Sequence, residues 1–377
     1  MELNNHIYLR EIRSLDEFYK LEAGWKALGD KCEYYNPFLS YDWFKCILET
    51  YLKDKELMIL ACYSGDKVLA IAPFWRYDSR MYKIKFKNIE FITCPDTPFV
   101  DFIIKSGYRE ACIEAFFDYL YTDLRISWDF LNIKQFPETS PHYALLKSFL
   151  DRENKRYYTQ VSSITPVIKI EEEWETFLQG RSRKFRKTRN NIRNRLNKLE
   201  KVDVICHRHD DKKYLFDNIL EVSRAGWKHD EGKGLSSKSE TVSFFEKLTR
   251  AASLQNWLRI WLLIQDDNPI AMEYDLTYKG KVYALRADYN EKYGEFSPGT
   301  YLEYEIIQYY FQNGYLAYST GPGLNEYKMH WTDHSFKNVN LHICSSWKAK
   351  INWYIEIYFK SRTSKYKSRL KELLNKK

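Results

Sequence analysis

Two carboxylates on one predicted strand are the first residues whose spacing suggests chemistry. Glu273 and Asp275 are two positions apart in the segment 269–278, where they alternate with apolar side chains. This alternation places both carboxylates on one face of a β-strand. Carboxylates on an interior strand are costly unless they face a wet cleft or a cation, so we predict that the pair lines a cleft. Asp288 and Arg286 share a face of the next strand, and Asp288 is a candidate general base. The alternative is an exposed strand face on which Arg286 pairs with the carboxylates.

A second candidate site is the start of a predicted helix near 299–313. The helix is entered through Ser297-Pro298-Gly299-Thr300. Proline suits a first helical turn because its missing N–H is no loss there, and glycine lets a ligand approach the backbone closely. Such a helix start presents free N–H donors and the positive end of the helix dipole. The sequence therefore predicts a pyrophosphate site formed by Ser297, Pro298, Gly299 and Thr300.

Two aromatic–lysine pairs lie near glycines and are candidate binding residues. Trp227 and Lys228 precede a glycine-containing loop, 230–237, that could cover a bound substrate. Tyr327 and Lys328 follow the Gly321-Pro322-Gly323 turn, where a lysine could hold an anionic group. The alternatives are that Trp227 packs in the core and that Lys328 is a surface lysine.

The elements that must position these residues form an internal repeat. Segments 56–77 and 257–278 align without gaps, and each is predicted to be a strand, a polar turn and a strand. A further strand, a helix and another strand follow each hairpin: 87–94, 108–122 and 128–134 in the first copy, and 281–288, 299–313 and 315–320 in the second. Only the second copy has the phosphate-type turn. We predict a degenerate domain at 1–155, an active domain at 156–345 and a basic amphipathic helix at 346–377.

Composition excludes several classes of protein. No apolar run approaches the length of a membrane span, and the first ten residues lack the apolar core of a signal peptide. The seven cysteines are scattered and never spaced as CxxC, which argues against a disulfide scaffold or a zinc ribbon and fits a reducing cytoplasm. His207 and His209 have no third ligand nearby, so we predict no metal. No Walker or GxGxxG motif occurs.

The net charge of +8 is concentrated in two segments. Residues 181–201 hold ten Lys or Arg and one Glu, and residues 348–377 hold ten Lys or Arg and two Glu. Apolar residues at 185, 192, 196 and 199 form a narrow helical seam in the first segment. This helix could dock on the domain by its seam, contact phosphates or lie near anionic lipid. The C-terminal segment fits either a docked helix or a membrane-surface helix.

The order of these elements and motifs resembles a known family. The motifs are Pro37-Phe38 with Trp43, Ala72-Pro73, Ser182-Arg183-Lys184-Phe185-Arg186, Gly226-Trp227-Lys228, Gly232-Lys233-Gly234-Leu235, Pro269-Ile270-Ala271, Ser297-Pro298-Gly299, and Gly321-Pro322-Gly323-Leu324-Asn325-Glu326-Tyr327-Lys328 with Trp331. Together they resemble the double-GNAT acetyltransferases of the cellulose-biosynthesis type, distant relatives of the Fem-type peptidoglycan bridge transferases. The resemblance covers about residues 20–345. The sequence departs from the family pattern at Ser319, Asn290 and Gly226, where that family usually has an acidic residue, Asp and Ser.

The resemblance implies a fold and a reaction. The fold is α/β, with two tandem GNAT-like (acyl-CoA N-acyltransferase) domains built on mixed, largely antiparallel sheets, plus a basic C-terminal helical tail. The implied activity is acyl transfer from acetyl-CoA or another acyl-CoA to an amine, with an amino sugar of polysaccharide or cell-envelope assembly as acceptor, free or carrier-linked. The protein would act in the cytoplasm, with peripheral contact at an anionic membrane.

The same resemblance assigns roles to the candidate residues. Strands 281–288 and 315–320 would splay apart, and the donor would enter the gap between them. Catalytic roles fall to Asp288, Glu273 and Lys328. Arg286 joins the Ser297–Thr300 turn in donor binding. Trp227, Lys228, Asp275 and Tyr327 would contact the acceptor.

Two alternatives remain open at this point. A Fem-like transferase would use aminoacyl-tRNA and contact it through 181–201, although the glycines of 226–234 break the long helical arm that such enzymes often carry. A non-enzymatic adaptor would bind nucleic acid or anionic membrane through its basic segments, with strong salt dependence.

Overall fold

The computed structural model describes residues 7–81, 83–123, 128–209 and 213–351. We call residues up to 155 the first half and residues 156–345 the second half. The strands of the first half are β1 (Tyr8–Ile12), β2 (Glu56–Ser64), β3 (Lys67–Met81), β4 (Ile84–Phe91), β5 (Ile103–Ile104) and β6 (Phe130–Pro137). Its helices are α1 (Leu15–Lys20), α2 (Glu22–Gly29), α3 (Tyr41–Tyr51), α4 (Arg109–Thr122) and α5 (Pro141–Arg152), with a 3-10 turn at Pro37–Leu39.

The second half repeats this order after a longer helical region. Its strands are β7 (Arg156–Lys169), β8 (Val202–His207), β9 (Leu258–Gln265), β10 (Asn268–Tyr278), β11 (Lys281–Tyr289), β12 (Ala317–Ser319) and β13 (Ser335–Cys344). Its helices are α6 (Trp174–Gln179), α7 (Arg183–Leu196), α8 (Lys213–Arg224), α9 (Trp227–Asp230), α10 (Ser239–Leu254), α11 (Pro298–Gln312) and α12 (Glu326–Met329), with 3-10 turns at Leu235–Ser237 and Glu291–Phe296.

All of these strands belong to one mixed, largely antiparallel sheet. The order is β1-β2-β3-β4-β6-β13-β7-β12-β11-β10-β9-β8, with β5 paired to β3. Each half contributes an antiparallel hairpin, a third strand, a helix and a parallel strand, which confirms the predicted α/β tandem-GNAT fold. β2 and β9 are almost continuously apolar and buried, as expected of strands that are covered on both faces.

The predicted splay occurs in the second half. β11 and β12 pair in parallel only at Lys281–Tyr283 and Ala317–Ser319, and the strands separate beyond Tyr283. Gly321 continues the line of β12 with a φ of +75°, and a Cβ there would lie 2.9 Å from the carbonyl oxygen of Ala284. This position therefore requires glycine, because the backbones approach closely before they diverge.

The corresponding gap in the first half is filled by apolar side chains. β4 and β6 also pair over three residues only. Beyond that point Val100 N donates to Gln135 O at 3.1 Å. The buried rings of Phe91, Phe102 and Phe136 pack there, with centroids 5.0 Å apart for Phe91–Phe102 and 6.0 Å for Phe102–Phe136. Among the described residues, the first half thus offers no open gap like that of the second.

The last strand joins the two halves. β13 pairs antiparallel with β6 of the first half and with β7 of the second. The limits 1–155 and 156–345 stay a prediction, but the sheet runs without a break across them. Most of the predicted basic helix at 346–377 lies outside the described residues, which end at 351. No helix in the described ranges is long and apolar enough to cross a membrane.

Candidate active site

A cleft of about 230 Å³ opens where β11 diverges from β12. It brings together seven of the predicted site residues: Trp227, Lys228, Glu273, Asp288, Gly299, Thr300 and Tyr327. Ala287, Tyr289 and Glu303 complete its lining. The N-terminal end of α11 therefore lies in the same cleft as two of the predicted carboxylates.

The start of α11 has the geometry of an anion site. Ser297 adopts a left-handed conformation with a φ of 55°, and its side chain does not cap the helix. Pro298 has no N–H, and the first helical hydrogen bond runs from Tyr301 N to Ser297 O at 3.1 Å. The N–H groups of Gly299 and Thr300 precede that bond and have no acceptor within the helix. A Cβ at Gly299 would lie 3.3 Å from the ring of Tyr289, so this position has little room for a side chain.

The basic helix α7 packs beside this helix start. Ser182 caps α7 by accepting a hydrogen bond from Phe185 N at 3.2 Å, and Phe185, Ile192 and Leu196 of the predicted seam are buried. Arg189 donates to the carbonyl of Thr300 at 2.9 Å. Arg195 donates to the carbonyl of Glu295 at 2.9 Å and to Ser297 Oγ at 3.3 Å. The docked seam thereby puts cationic side chains next to the helix start, where they raise the local positive potential.

The predicted carboxylate pair lies at the floor of the cleft. Glu273 is 4% exposed and Asp275 is fully buried. The Tyr318 hydroxyl donates to Glu273, and the Tyr310 hydroxyl donates to Asp275 Oδ2 at 2.7 Å. Burial and the nearby Asp275 carboxylate raise the pKa of Glu273 well above its usual range. Burial raises the pKa of Asp275 to about 7. The two carboxyls therefore hold a proton more tightly than an exposed pair would.

Asp288 lies on the wall of the cleft beside Lys228. Lys228 Nζ is 3.1 Å from Asp288 Oδ1 and also donates to the carbonyl of Ala287. The second carboxylate oxygen, Asp288 Oδ2, is buried and has no hydrogen-bond partner among the described residues. A buried carboxylate oxygen without a donor is costly, so this atom is suited to receive an N–H from a bound molecule.

Glu303 is a cleft residue that we did not predict. Its carboxylate accepts from Trp331 Nε1 at 3.2 Å and is 3.7 Å from Arg189 Nη2. Burial raises its pKa, whereas the nearby Arg189 guanidinium opposes this rise. The signal was present in the sequence: Glu303 is four residues after Gly299 and so lies on the same face of α11.

Lys328 lies below the Gly321-Pro322-Gly323 turn and does not line the cleft. Its ammonium donates to the carbonyls of Thr320 at 2.7 Å, Gly321 at 3.1 Å and Pro322 at 3.4 Å. An ammonium has three N–H groups, and these three carbonyls use all of them. Burial lowers the pKa of Lys328. Its contacts are those of a residue that supports the turn, and its catalytic role stays a prediction.

Two predicted binding residues require correction. Arg286 does not reach the Ser297–Thr300 turn, because its guanidinium is 2.5 Å from Asp96 of the first half and donates to the carbonyl of Lys233. Asp275 does not line the cleft, since its side chain is fully buried. The alternative of an exposed face with Arg286 as ion-pair partner is also wrong, because Glu273 and Asp275 are buried and Arg286 pairs elsewhere.

Comparison with known proteins agrees with this geometry. Residues 186–329 match the profile of the acetyltransferase (GNAT) domain. Over these residues the chain is similar to an acyltransferase domain of the GNAT type. This confirms the predicted class of enzyme, and domains of this type in general take the acyl group from acyl-CoA. No curated protein matches the chain in sequence.

Solved structures share the fold over most of the chain. FemX is 11% identical, with 86% of this chain and 96% of FemX covered and a TM-score of 0.57. The C-terminal domain of a protein proposed to be a lysylphosphatidylglycerol synthetase from Agrobacterium fabrum is 11% identical, with 90% and 96% covered and a TM-score of 0.56. L-PGS from Bacillus licheniformis is 13% identical, with 80% and 91% covered and a TM-score of 0.51. At these identities the similarity establishes the fold alone.

Proposed function

We propose that this protein transfers an acyl group, in the first instance acetyl, from acyl-CoA to the amine of an amino sugar. The amine nitrogen bonds to the thioester carbonyl carbon, and the C–S bond breaks. The proton lost by the amine passes to a carboxylate of the cleft, and the leaving thiolate takes up a proton. The products are an amide and the free thiol of coenzyme A.

The single observation that carries the proposal is the shared cleft. Gly299 and Thr300, which carry the free N–H groups at the start of α11, line the same cavity as the buried carboxylates Glu273 and Asp288. A diphosphate fits such a helix start because the N–H donors and the helix dipole both favour negative charge. Arg195 lies beside the same corner and adds a positive charge. Gly299 lets the phosphate approach the backbone.

The carboxylates suit an acceptor that arrives as an amine. Asp288 Oδ2 has no partner among the described residues, so it is free to accept an N–H from the acceptor. The pKa of Glu273 is raised, so its carboxylate is a stronger base than an exposed one. It is therefore better suited to take a proton from the attacking amine. In this proposal Asp288 orients the amine, and the Glu273–Asp275 pair receives the proton that the amine loses.

The rim of the cleft favours a sugar as acceptor. Trp227 is 41% exposed and Tyr327 is 52% exposed, and both line the cavity. Exposed aromatic rings at a binding site offer flat apolar faces on which a sugar ring can stack. The resemblance to double-GNAT acetyltransferases of the cellulose-biosynthesis type extends this to a free or carrier-linked amino sugar of polysaccharide or cell-envelope assembly. The reaction would take place in the cytoplasm, peripheral to the membrane where the acceptor is carried there.

One observation favours a second candidate donor, an aminoacyl-tRNA. Seven cations on and just after α7 form no ion pair with a carboxylate of the described residues: Arg183, Lys184, Arg186, Lys187, Arg193, Arg195 and Lys198. The phosphodiester backbone of an RNA bound along α7 would neutralise them. An RNA donor would use more of this surface than coenzyme A does.

Ligand-dependent stability distinguishes the donors. Acetyl-CoA at 100 times its dissociation constant should stabilise the protein by about 2.7 kcal/mol. Gly299→Leu should abolish this effect, because the new side chain occupies the phosphate corner and meets Tyr289. Gly294→Ala is the control, since its Cβ would meet Tyr289 only at 4.0 Å, an ordinary van der Waals distance.

The outcomes separate the two donors clearly. Stabilisation by acetyl-CoA that Gly299→Leu removes, together with amide formation on an amino sugar, supports the proposal. Stabilisation by aminoacyl-tRNA and none by acetyl-CoA would show that the donor is the aminoacyl-tRNA. If Gly299→Leu binds acetyl-CoA as tightly as the parent, the phosphate assignment is wrong.

A further inference from the structure

We propose that Asp96, a residue of the first half, positions the acceptor side of the active site. It acts through Arg286 on residues 227–237, which we call the acceptor loop because it carries Trp227 and Lys228. This role rests on the proposed function only in so far as the loop borders the acceptor. The first half, whose own gap is filled by phenylalanines, would thereby contribute to the reaction of the second.

The link consists of one arginine with two partners. Arg286 Nη2 is 2.5 Å from Asp96 Oδ1, and Arg286 Nη1 donates to the carbonyl of Lys233 at 2.8 Å. The Asp96 side chain is 4% exposed and that of Arg286 19%. The planar guanidinium holds both partners in a fixed relation, which a lysine could not do. Removing the carboxylate would leave a half-buried cation free to turn away from Lys233.

The acceptor loop is rigid enough to transmit this constraint. Lys233 N and Gly234 N both donate to the carbonyl of Lys228, at 2.8 Å and 2.7 Å. The Lys228 ammonium in turn contacts Asp288 at 3.1 Å. Fixing the carbonyl of Lys233 therefore fixes the backbone of Lys228, and with it the partner of Asp288 in the cleft.

Asp96 is itself held in place by a tight turn. Cys94 N donates to Thr97 Oγ1 at 2.9 Å, and Thr97 N donates to the carbonyl of Cys94 at 3.0 Å. Thr97 and Cys94 are both buried. The carboxylate consequently projects from a fixed backbone of the first half toward the second, and it can serve as an anchor for Arg286.

The test uses the full chain and two variants. Asp96→Asn removes the charge that holds Arg286, and Arg286→Lys keeps the charge but cannot reach both partners. Hydrogen exchange of the acceptor-loop amides, above all Lys233 and Gly234, should accelerate about tenfold or more in both variants. The Michaelis constant for the amine should rise about tenfold, while that for the acyl donor stays within about twofold.

A matched control is available at the same interface. Glu49 of α3 and Lys247 of α10 form an ion pair across the two halves at 3.0 Å, away from the cleft. Glu49→Gln should leave both loop exchange and the amine Michaelis constant unchanged. Unchanged loop exchange in Asp96→Asn and Arg286→Lys would overturn the inference, even if the enzyme uses a different donor. Faster exchange without acyl transfer from coenzyme A would instead count against the proposed reaction and leave the positioning role intact.

Discussion

Replacing Asp275 with Asn should change how the stability of the protein depends on pH. Burial raises the pKa of Asp275 from 3.8 to about 7. The folded state thus binds this proton more tightly than the unfolded state does. The stabilisation is fully present below pH 4 and is lost as the pH rises through 7. A pKa difference of this size corresponds to about 4 kcal/mol, which is an upper limit because the proton is shared with Glu273.

Asparagine tests this pH dependence because it keeps the shape of the Asp275 side chain but cannot gain or lose the proton. Its amide oxygen can still accept the hydrogen bond that Tyr310 donates at 2.7 Å. We expect the free energy of unfolding of Asp275→Asn, relative to the parent, to rise by up to about 4 kcal/mol between pH 4 and pH 8. Losing the neighbouring charge also lowers the pKa of Glu273, which adds to the same trend.

Urea unfolding of both proteins at several pH values gives the required difference curve. Tyr310→Phe is a useful second variant, because it removes a hydrogen bond that lowers the pKa of Asp275 and keeps the carboxyl. Without this bond the pKa of Asp275 should rise further, so the pH-dependent loss of stability should occur at higher pH than in the parent. A difference curve for Asp275→Asn that is flat within about 0.5 kcal/mol would refute the idea that the Glu273–Asp275 pair binds a proton more tightly in the folded protein than in the unfolded one.

Two further substitutions distinguish a residue that stabilises the fold from one that takes part in the reaction. Lys328→Met should lower the free energy of unfolding by about 3 kcal/mol, because the buried carbonyls of Thr320 and Gly321 and the carbonyl of Pro322 lose their donor. A loss of turnover at unchanged stability would favour the catalytic role predicted from sequence. Asp288→Asn should reduce turnover about 100-fold or more while the affinity for the donor, measured by calorimetry, stays the same. Unchanged turnover would remove Asp288 from the reaction.

Local sequence patterns predicted the elements that carry the site. The hairpins β2–β3 and β9–β10 follow from apolar segments on either side of a polar turn, repeated in both halves, and the start of α11 follows from Pro298 and Gly299. These signals are local, because strand faces and first helical turns depend on neighbouring residues. Alternation within 269–278 put Glu273 and Asp275 on one face, and the two carboxyls do lie next to each other.

Contacts between distant segments could not be predicted in this way. The resemblance assigned Arg286 to donor binding, but its partner Asp96 is distant in sequence and belongs to the first half. Alternation gives the face of a side chain and not the element that covers it, so the complete burial of Asp275 was also missed. The insertion of β13 between β6 and β7 is likewise a non-local pairing.

The most direct measurement of the central claim is a crystal structure with coenzyme A bound. We predict that the diphosphate lies within hydrogen-bonding distance of the backbone N–H groups of Gly299 and Thr300, with the thiol reaching the cleft between Glu273 and Asp288. A diphosphate bound elsewhere, or a helix start that stays free of ligand at saturating coenzyme A, would contradict the account.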